Sequence, residues 1–444
     1  MLNGWLSYQL ELPRHSNEVL LVLPLASHRT SRVPPHARTG KADVAEIVDR
    51  GLVARASPND VRSHTATSLR TSLLPLTGVS LDAWRALSAR AVEPNGYYLP
   101  DWELAVNASA AGRTGVSALC AWSDVPGASA LIGLFPVISL WRACKIPLPA
   151  LVSAHPYGTL CTPPIDRDAV EDAAADLIES ARRAGSHALI LREVALDGPV
   201  MRAIGGILRR EGLQPRVLQS HQRACLDATH EPEELLREAL GAKKLKELRR
   251  LRHRLAEHGA VSFEVARSRQ DVEAALEAFL ALEASGWKGR RGTALTQNEG
   301  DASFIRRATT ALAYTGQCEI IALRAGASPV AAGIVLRHRD RAFFFKIGVD
   351  ERFAKFSPGV QLTLELTRHL CSDPTIASAD STAAPDHPMI NPIWRGRFAI
   401  GDVLIPLRPR DPLVPVIHAA LVMRLSALDV ARRAARAIRR LRTG

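Results

Sequence analysis

The stretch that most restricts the fold is residues 342–370, AFFFKIGVDERFAKFSPGVQLTLELTRHL, which reads as a buried strand, a short loop and a helix opening on Ser-Pro-Gly. Phe343, Phe344, Phe345, Ile347 and Val349 form a short apolar run of strand-favouring residues. Ser357 is expected as the helix N-cap, with Pro358 at the first helical position, where its missing N–H is no loss. Gly359 leaves the backbone open to close approach by a ligand. Free amides and the positive end of a helix dipole, facing out from the carboxyl end of a strand, make a seat for a pyrophosphate. An ordinary strand-to-helix connection is the competing reading.

Length and charge set wider limits. The chain has 444 residues, 47% of them hydrophobic, enough for two or three domains with filled cores. A formal net charge of +12 and a pI near 9.9 suit anionic partners: nucleotide cofactors, nucleic acid or an anionic lipid surface. Only 5% of residues are aromatic, too few stacking platforms for a typical single-strand nucleic-acid binder. Cys120, Cys144, Cys161, Cys225, Cys318 and Cys371 lack the spacing of a metal knuckle or redox pair, so they read as buried, reduced thiols and no metal is expected. No run of about 18 apolar residues is expected, and no secretory leader pattern is present, so the chain is expected to be cytoplasmic. Residues 130–141, ALIGLFPVISLW, come nearest to a span but are short and broken by Pro136.

Along the chain, residues 1–75 are expected to be a partly disordered N-terminal segment, apart from a possible strand at 18–25, EVLLVLPL. Residues 76–232 alternate helices such as LDAWRALSARA and DAVEDAAADLIESARRAG with strands such as VSALCAW, ALIGLFPVI, ALILREVAL and RACLDA, which defines an α/β domain. Residues 233–260 are read as one long basic linking helix, with Leu245, Leu248, Leu251 and Leu255 on a stripe among Lys243, Lys244, Lys246, Arg249, Arg250, Arg252 and Arg254. That charge run is either a solvated face or an anion-binding surface. Residues 261–410 form a second α/β unit: a strand, two helices, three antiparallel strands, a helix and further strands, with Ser268 and Asp271 marking a capping-box start. Residues 411–444 read as a basic helix, with Leu421, Leu425, Leu428 and Ala431 opposite several arginines, suited to docking on the protein or to peripheral contact with an anionic membrane.

This order, together with FLALEASGWKGRRGTAL at 279–295 and KIGVDERFAKFSPGVQL at 346–362, resembles the GNAT superfamily of acyl-CoA N-acyltransferases, in particular its two-domain CelD-like branch named for cellulose biosynthesis. NGYYLPDWE at 95–103 extends the similarity more weakly into the first domain. The resemblance implies an α/β (α+β) protein of tandem GNAT-like domains, related to Fem-type transferases that use aminoacyl-tRNA. It implies acyl-CoA, such as acetyl-CoA, as co-substrate, a fourth strand splayed from the fifth with Ile347 and Val349 facing the thioester, and a phosphate turn at Ser357, Gly359 and Val360. The family's phosphate loop carries Gln or Arg, then Gly, then Gly or Ala; aligned on Gly359, this chain has Ala354 and Ser357 at the first two positions, and Pro358 removes an amide.

Acyl transfer needs a deprotonated nucleophile, a polarised carbonyl and a proton for the leaving thiolate. Asp380, at the end of the expected fifth strand, and His387, in the following loop, are the first choice for a meeting acid/base pair; otherwise Asp380 caps the loop and His387 is a surface residue before Pro388. Glu283 is the alternative general base. Trp287 and Lys288 lie where an acceptor would bind, although a Trp after Gly286 also suits a core anchor. Lys346 points to one sheet face, to bind an anionic substrate or pair with a neighbouring acid. The expectation is a transferase moving an acyl group to an amine or hydroxyl of a small-molecule or glycan precursor. Its alternatives are tRNA-dependent Fem-type transfer and a non-catalytic role in polysaccharide synthesis.

Overall fold

Apolar runs and amphipathic helices assemble into a single mixed sheet covered on both faces. The structure, a computed structural model, describes residues 73–443 apart from 111, 124–128, 155 and 156. The expected strand at 18–25, and all of the N-terminal segment before residue 73, lie outside the described residues.

The strands are β1 (Leu74–Pro75), β2 (Ser117–Trp122), β3 (Leu131–Ser139), β4 (Ala150–Ser153), β5 (Ala188–Ala195), β6 (Arg216–Asp227), β7 (Val261–Ala266), β8 (Cys318–Ala325), β9 (Ser328–His338), β10 (Arg341–Val349), β11 (Ser378–Asp380) and β12 (Gly396–Pro406). The helices are α1 (Leu81–Arg90), α2 (Pro100–Ser109), α3 (Leu140–Cys144), α4 (Val170–Arg183), α5 (Pro199–Arg210), α6 (Pro232–Leu255), α7 (Arg269–Ser285), α8 (Trp287–Arg290), α9 (Glu299–Tyr314), α10 (Pro358–Cys371) and α11 (Leu413–Thr443). Local chemistry explains the starts. Ser268 Oγ accepts from the Asp271 N–H, the N-cap bond expected for α7, while the Asp271 carboxylate accepts from the Ser268 hydroxyl and not from its backbone N–H. Prolines occupy the first turn of α2, α5, α6 and α10. The segment ALIGLFPVI is not a span: it is β3, buried along almost its whole length inside the sheet.

The strand order is β1-β2-β3-β4-β5-β12-β6-β11-β10-β9-β8-β7. The two flanks match: β1 to β5 and β7 to β11 each run antiparallel until a closing parallel pair, β4 with β5 and β10 with β11. The expected α/β (α+β) class and its two similar halves are present. The centre is less expected. β6 follows β5 in the chain but lies against β11, and β12 follows β11 but lies against β5, so each half hands its last strand to the other. Buried clusters fill both faces: α2, α7 and α9 over β8 to β10, α6 and α10 beneath them, α4 and α5 on the β2 to β5 flank, and α1, α3 and α11 on that flank's other face.

Three expectations change. The linking helix is broken, because Gly241 has φ 73° and ψ 157° and interrupts α6. Four of the six thiols, Cys120, Cys144, Cys225 and Cys371, are half-buried, and only Cys161 and Cys318 are fully enclosed; all six are free. Finally, Leu413–Ala431 in α11 has a mean hydropathy of 1.7 and is long and apolar enough to cross a membrane by length and composition. The expectation that no apolar stretch of this length occurs is thus corrected: His418, Arg424 and Asp429 interrupt it, but alanine, valine and leucine keep its mean hydropathy high.

Candidate functional site

Strand β10 loses a neighbour halfway along its length. It pairs with β9 from Arg341 to Val349, but with β11 only at Arg341, Ala342 and Phe343. Between Phe344 and Lys346 the β9 register shifts, so Phe345 and Lys346 turn to the same face. Past that bulge no strand pairs with β10 on its β11 side, which leaves an opening in the ladder. Two side chains reach its backbone: the Thr382 hydroxyl donates to the Phe344 carbonyl at 2.6 Å, and Lys288 Nζ donates to the Ile347 carbonyl at 2.9 Å.

Four expected site residues gather there. Gly348 lets α7 cross directly over β10, since a Cβ at that position would stand 3.1 Å from the Glu283 nitrogen and 3.3 Å from the Phe279 carbonyl. The crossing delivers Glu283, 2% exposed, onto the strand. Its Oε1 accepts from Lys346 Nζ at 3.1 Å and Lys288 Nζ at 3.3 Å, and its Oε2 from the Leu295 N–H at 2.9 Å. Burial pushes this carboxyl up, but the two lysines outweigh it and the net shift is downward. Burial also pushes the Lys288 ammonium down, to about 8, with the charge of Lys346 adding and that of Glu283 opposing. His387 joins from the loop after β11: burial and then the nearby Lys288 charge hold its imidazole below the ordinary value. Its Nδ1 accepts from the Met389 N–H at 3.3 Å, which leaves the proton of the neutral ring on Nε2. Trp287 is half-buried on the rim, with its backbone N–H on the Glu351 carboxylate at 2.7 Å and Arg291 5.1 Å over its ring.

The Ser-Pro-Gly helix start differs from expectation in two ways. Ser357 is not a side-chain N-cap: it adopts φ 53°, ψ 51°, and its hydroxyl makes no capping bond. Nor does Gly359 stand open, because a Cβ there would meet Met389 Sδ at 3.1 Å, Val349 at 3.3 Å and Ile347 at 3.5 Å. The glycine admits the protein's own loop. Gln361 braces the turn by donating to the Phe356 carbonyl at 2.8 Å. Among the described residues no hydrogen bond uses the N–H of Gly359 or Val360, and Lys355 stands 4.8 Å and Arg254 6.0 Å over the Phe356 ring. The two unused donors and neighbouring cations suit the pyrophosphate of an acyl-CoA, once the flexible Met389 side chain moves aside.

Asp380 belongs to a different group. It is 1% exposed, its Oδ1 accepts from the Thr382 N–H at 2.8 Å and its Oδ2 from Arg223 at 3.2 Å. Arg223, on β6, also binds Glu193 at 2.6 Å and the Thr159 carbonyl at 2.7 Å. Burial opposes the Arg223 charge, but Asp380 and Glu193 override it and raise its pKa. Asp380, expected to meet His387, is held in an ion pair with Arg223 at the seam of the exchanged strands. Sequence reasoning also missed Tyr97 and Trp102 of the NGYYLPDWE segment. They stack against the base of β10, with ring centroids 5.7 Å from Phe343 and 4.9 Å from Phe345 respectively. Among the described residues no group of three or more His, Cys, Asp or Glu is placed to hold a metal ion.

Residues 242–386 match the family model described as Acetyltransferase (GNAT) domain, and the opening of β10, α8 and the start of α10 all fall inside it. No curated protein matches the chain. Among solved structures it is similar to FemX, at 10% identity and a TM-score of 0.49, covering 77% of this chain and 98% of that one. It is similar to L-PGS from Bacillus licheniformis, at 13% identity and a TM-score of 0.42, covering 76% and 98%. A tandem GNAT protein from the clavulanic acid biosynthesis pathway is similar at 13% identity and a TM-score of 0.36, covering 76% and 99%.

Proposed function

We propose that the protein transfers an acyl group from an acyl-CoA thioester to an amine or hydroxyl acceptor in the opening beside β10. The observation that carries this reading is the half-unpaired β10 with Lys288, Glu283 and Lys346 at its edge, all inside the matched stretch, and His387 just beyond its end. Acyl-CoA, for which the start of α10 offers the N–H groups of Gly359 and Val360, supplies the activated thioester. The chain's own groups do the rest. Backbone N–H groups at Ile347 and Val349 face the carbonyl that must be polarised. Lys288, poised near 8, takes the proton that the acceptor loses as its nitrogen or oxygen bonds to the acyl carbon. The same proton then passes to the sulfur as the carbon–sulfur bond breaks. Glu283 orients Lys288, and the Nε2–H of His387 donates a hydrogen bond within the site. Asp380 acts at one remove, fixing Arg223 and, through Thr382, the end of the opening.

We further read residues 76–232 as the first half, 233–260 as the link, and 261–410 as the half that does the chemistry, with a cytoplasmic sugar or envelope precursor as acceptor. Purified protein incubated with acetyl-CoA tests the core of this reading. Thermal stabilisation by acetyl-CoA and release of free CoA with an amine acceptor mixture support it; absence of both overturns it. Transfer from aminoacyl-tRNA is the second reading, favoured by the exposed basic face of α6 at Lys243, Lys246, Arg249 and Arg250. Salt-sensitive tRNA binding that weakens when those four are neutralised supports it, and no binding at low salt excludes it.

A further inference from the structure

Helix α11 has two apolar faces, and the fold covers only one. Val414, Ile417 and Leu421 are buried in the cluster shared with α1 and α3. On the opposite side Val416, Met423 and Val430 recur every seven residues and are 49%, 65% and 65% exposed. Ala419, Ala427 and Ala434, also exposed, extend the same stripe. At 1.5 Å per residue the 31-residue helix is about 46 Å long, so the stripe is continuous over several turns. The sequence then becomes basic: Arg432, Arg433, Arg436, Arg439, Arg440 and Arg442 follow a single acid, Asp429. Trp141 belongs to α3, whose Leu140 and Ala143 share a cluster with the buried face of α11; it is 55% exposed, with Lys145 Nζ 5.9 Å from its ring centroid. An apolar stripe, flanking arginines and an exposed Trp beside a Lys form the pattern of a helix lying in a bilayer's headgroup boundary.

We propose that α11 is a peripheral membrane anchor that lies along an anionic lipid surface. Its stripe of Val416, Met423 and Val430 enters the acyl boundary, and its arginines contact lipid phosphates. The helix does not cross the bilayer, although Leu413–Ala431 is long enough, because crossing would pull Val414, Ile417 and Leu421 out of the core and bury Asp429. A second copy of this chain is the poorer occupant, since pairing two such tails brings their arginine clusters together.

The test is co-flotation of the full chain with vesicles of phosphatidylcholine alone or of phosphatidylcholine mixed equally with phosphatidylglycerol. Binding to the mixed vesicles, at least tenfold tighter than to neutral ones and released by salt, is expected. A Met423→Asp, Val430→Asp variant should lose that binding by more than tenfold with an unchanged melting temperature. A second variant, with Arg432, Arg433 and Arg436 changed to Gln, should lose the preference for anionic lipid while keeping the apolar stripe. Equal affinity for both vesicle types, extraction by detergent only, or wild-type binding by the Asp variant would each overturn the proposal. So would a lipid-free dimer, seen by light scattering, that the same Asp substitutions dissolve.

Discussion

Lys288 is a buried cation that shares one carboxylate with another, and its chemistry follows from that arrangement. Between about 8 and the ordinary lysine value the unfolded chain binds the Lys288 proton and the folded chain does not. The group's contribution to stability therefore rises as pH climbs through that window, and in wild type more than in Lys288→Gln, as denaturant midpoints across pH would record. Removing the negative charge that favours its ammonium should lower it further, so Glu283→Gln is expected to move the Lys288 resonance of the reductively methylated protein to a midpoint below about 8. If Lys288 is the proton acceptor, kcat/KM rises through about pH 8 in wild type, and that limb is lost in Lys288→Ala. Glu283→Ala goes further and leaves two cations facing each other, a loss of roughly 3–5 kcal/mol measurable by urea unfolding. Most of this group is legible in the sequence, because Glu283 near the end of α7 and Lys288 in α8 are only 5 positions apart and Lys346 sits on an obvious strand. The partner of Asp380 is not: Arg223 lies 157 positions away and no spacing rule links them. An acid at a strand end looks the same whether it meets a histidine or an arginine.

At the scale of elements, the site depends on how closely α7 lies on β10. Gly348→Ala would place a methyl against the backbone of Phe279 and Glu283 at 3.1–3.3 Å, where neither neighbour is a flexible tip. The expected cost is about 1–3 kcal/mol, and the lifted helix should weaken the Glu283–Lys346 contact, visible as a shift of the Lys288 titration. Wild-type stability and an unmoved titration in that variant would show that α7 adapts freely. The strands and helices of 261–371 are largely legible because their apolar periods are clean and their caps have clear chemistry. Their ends are less so. β6 begins at Arg216 and β12 at Gly396, several residues before the apolar runs that suggest them, because the added residues earn strand geometry from long-range partners and not from their own propensity. Ser357 shows the same limit, since a serine before a proline suggests a cap and the backbone turns left-handed instead.

For the whole molecule, the continuous sheet couples both halves. Residues 72–444 should unfold in one calorimetric transition, and Arg223→Ala, which leaves Asp380 and Glu193 without their shared cation, should lower it as a single peak by roughly 3–5 kcal/mol of stability. Two separated peaks would show that the halves melt independently. Two-part order is legible in the sequence; the exchange of last strands is not, since an apolar face declares that it needs a neighbour without saying which one. Ala195 finds its neighbour in Ile400, and Cys225 pairs with Gly396 on one side and Asp380 on the other. During synthesis, β5 therefore waits for a strand made only after β6 to β11, and an emerging first half exposes an open sheet edge until residue 406 has left the ribosome. Such a chain cannot complete its folding domain by domain as it is made, and for that interval it is a natural client for a chaperone that shields strand edges.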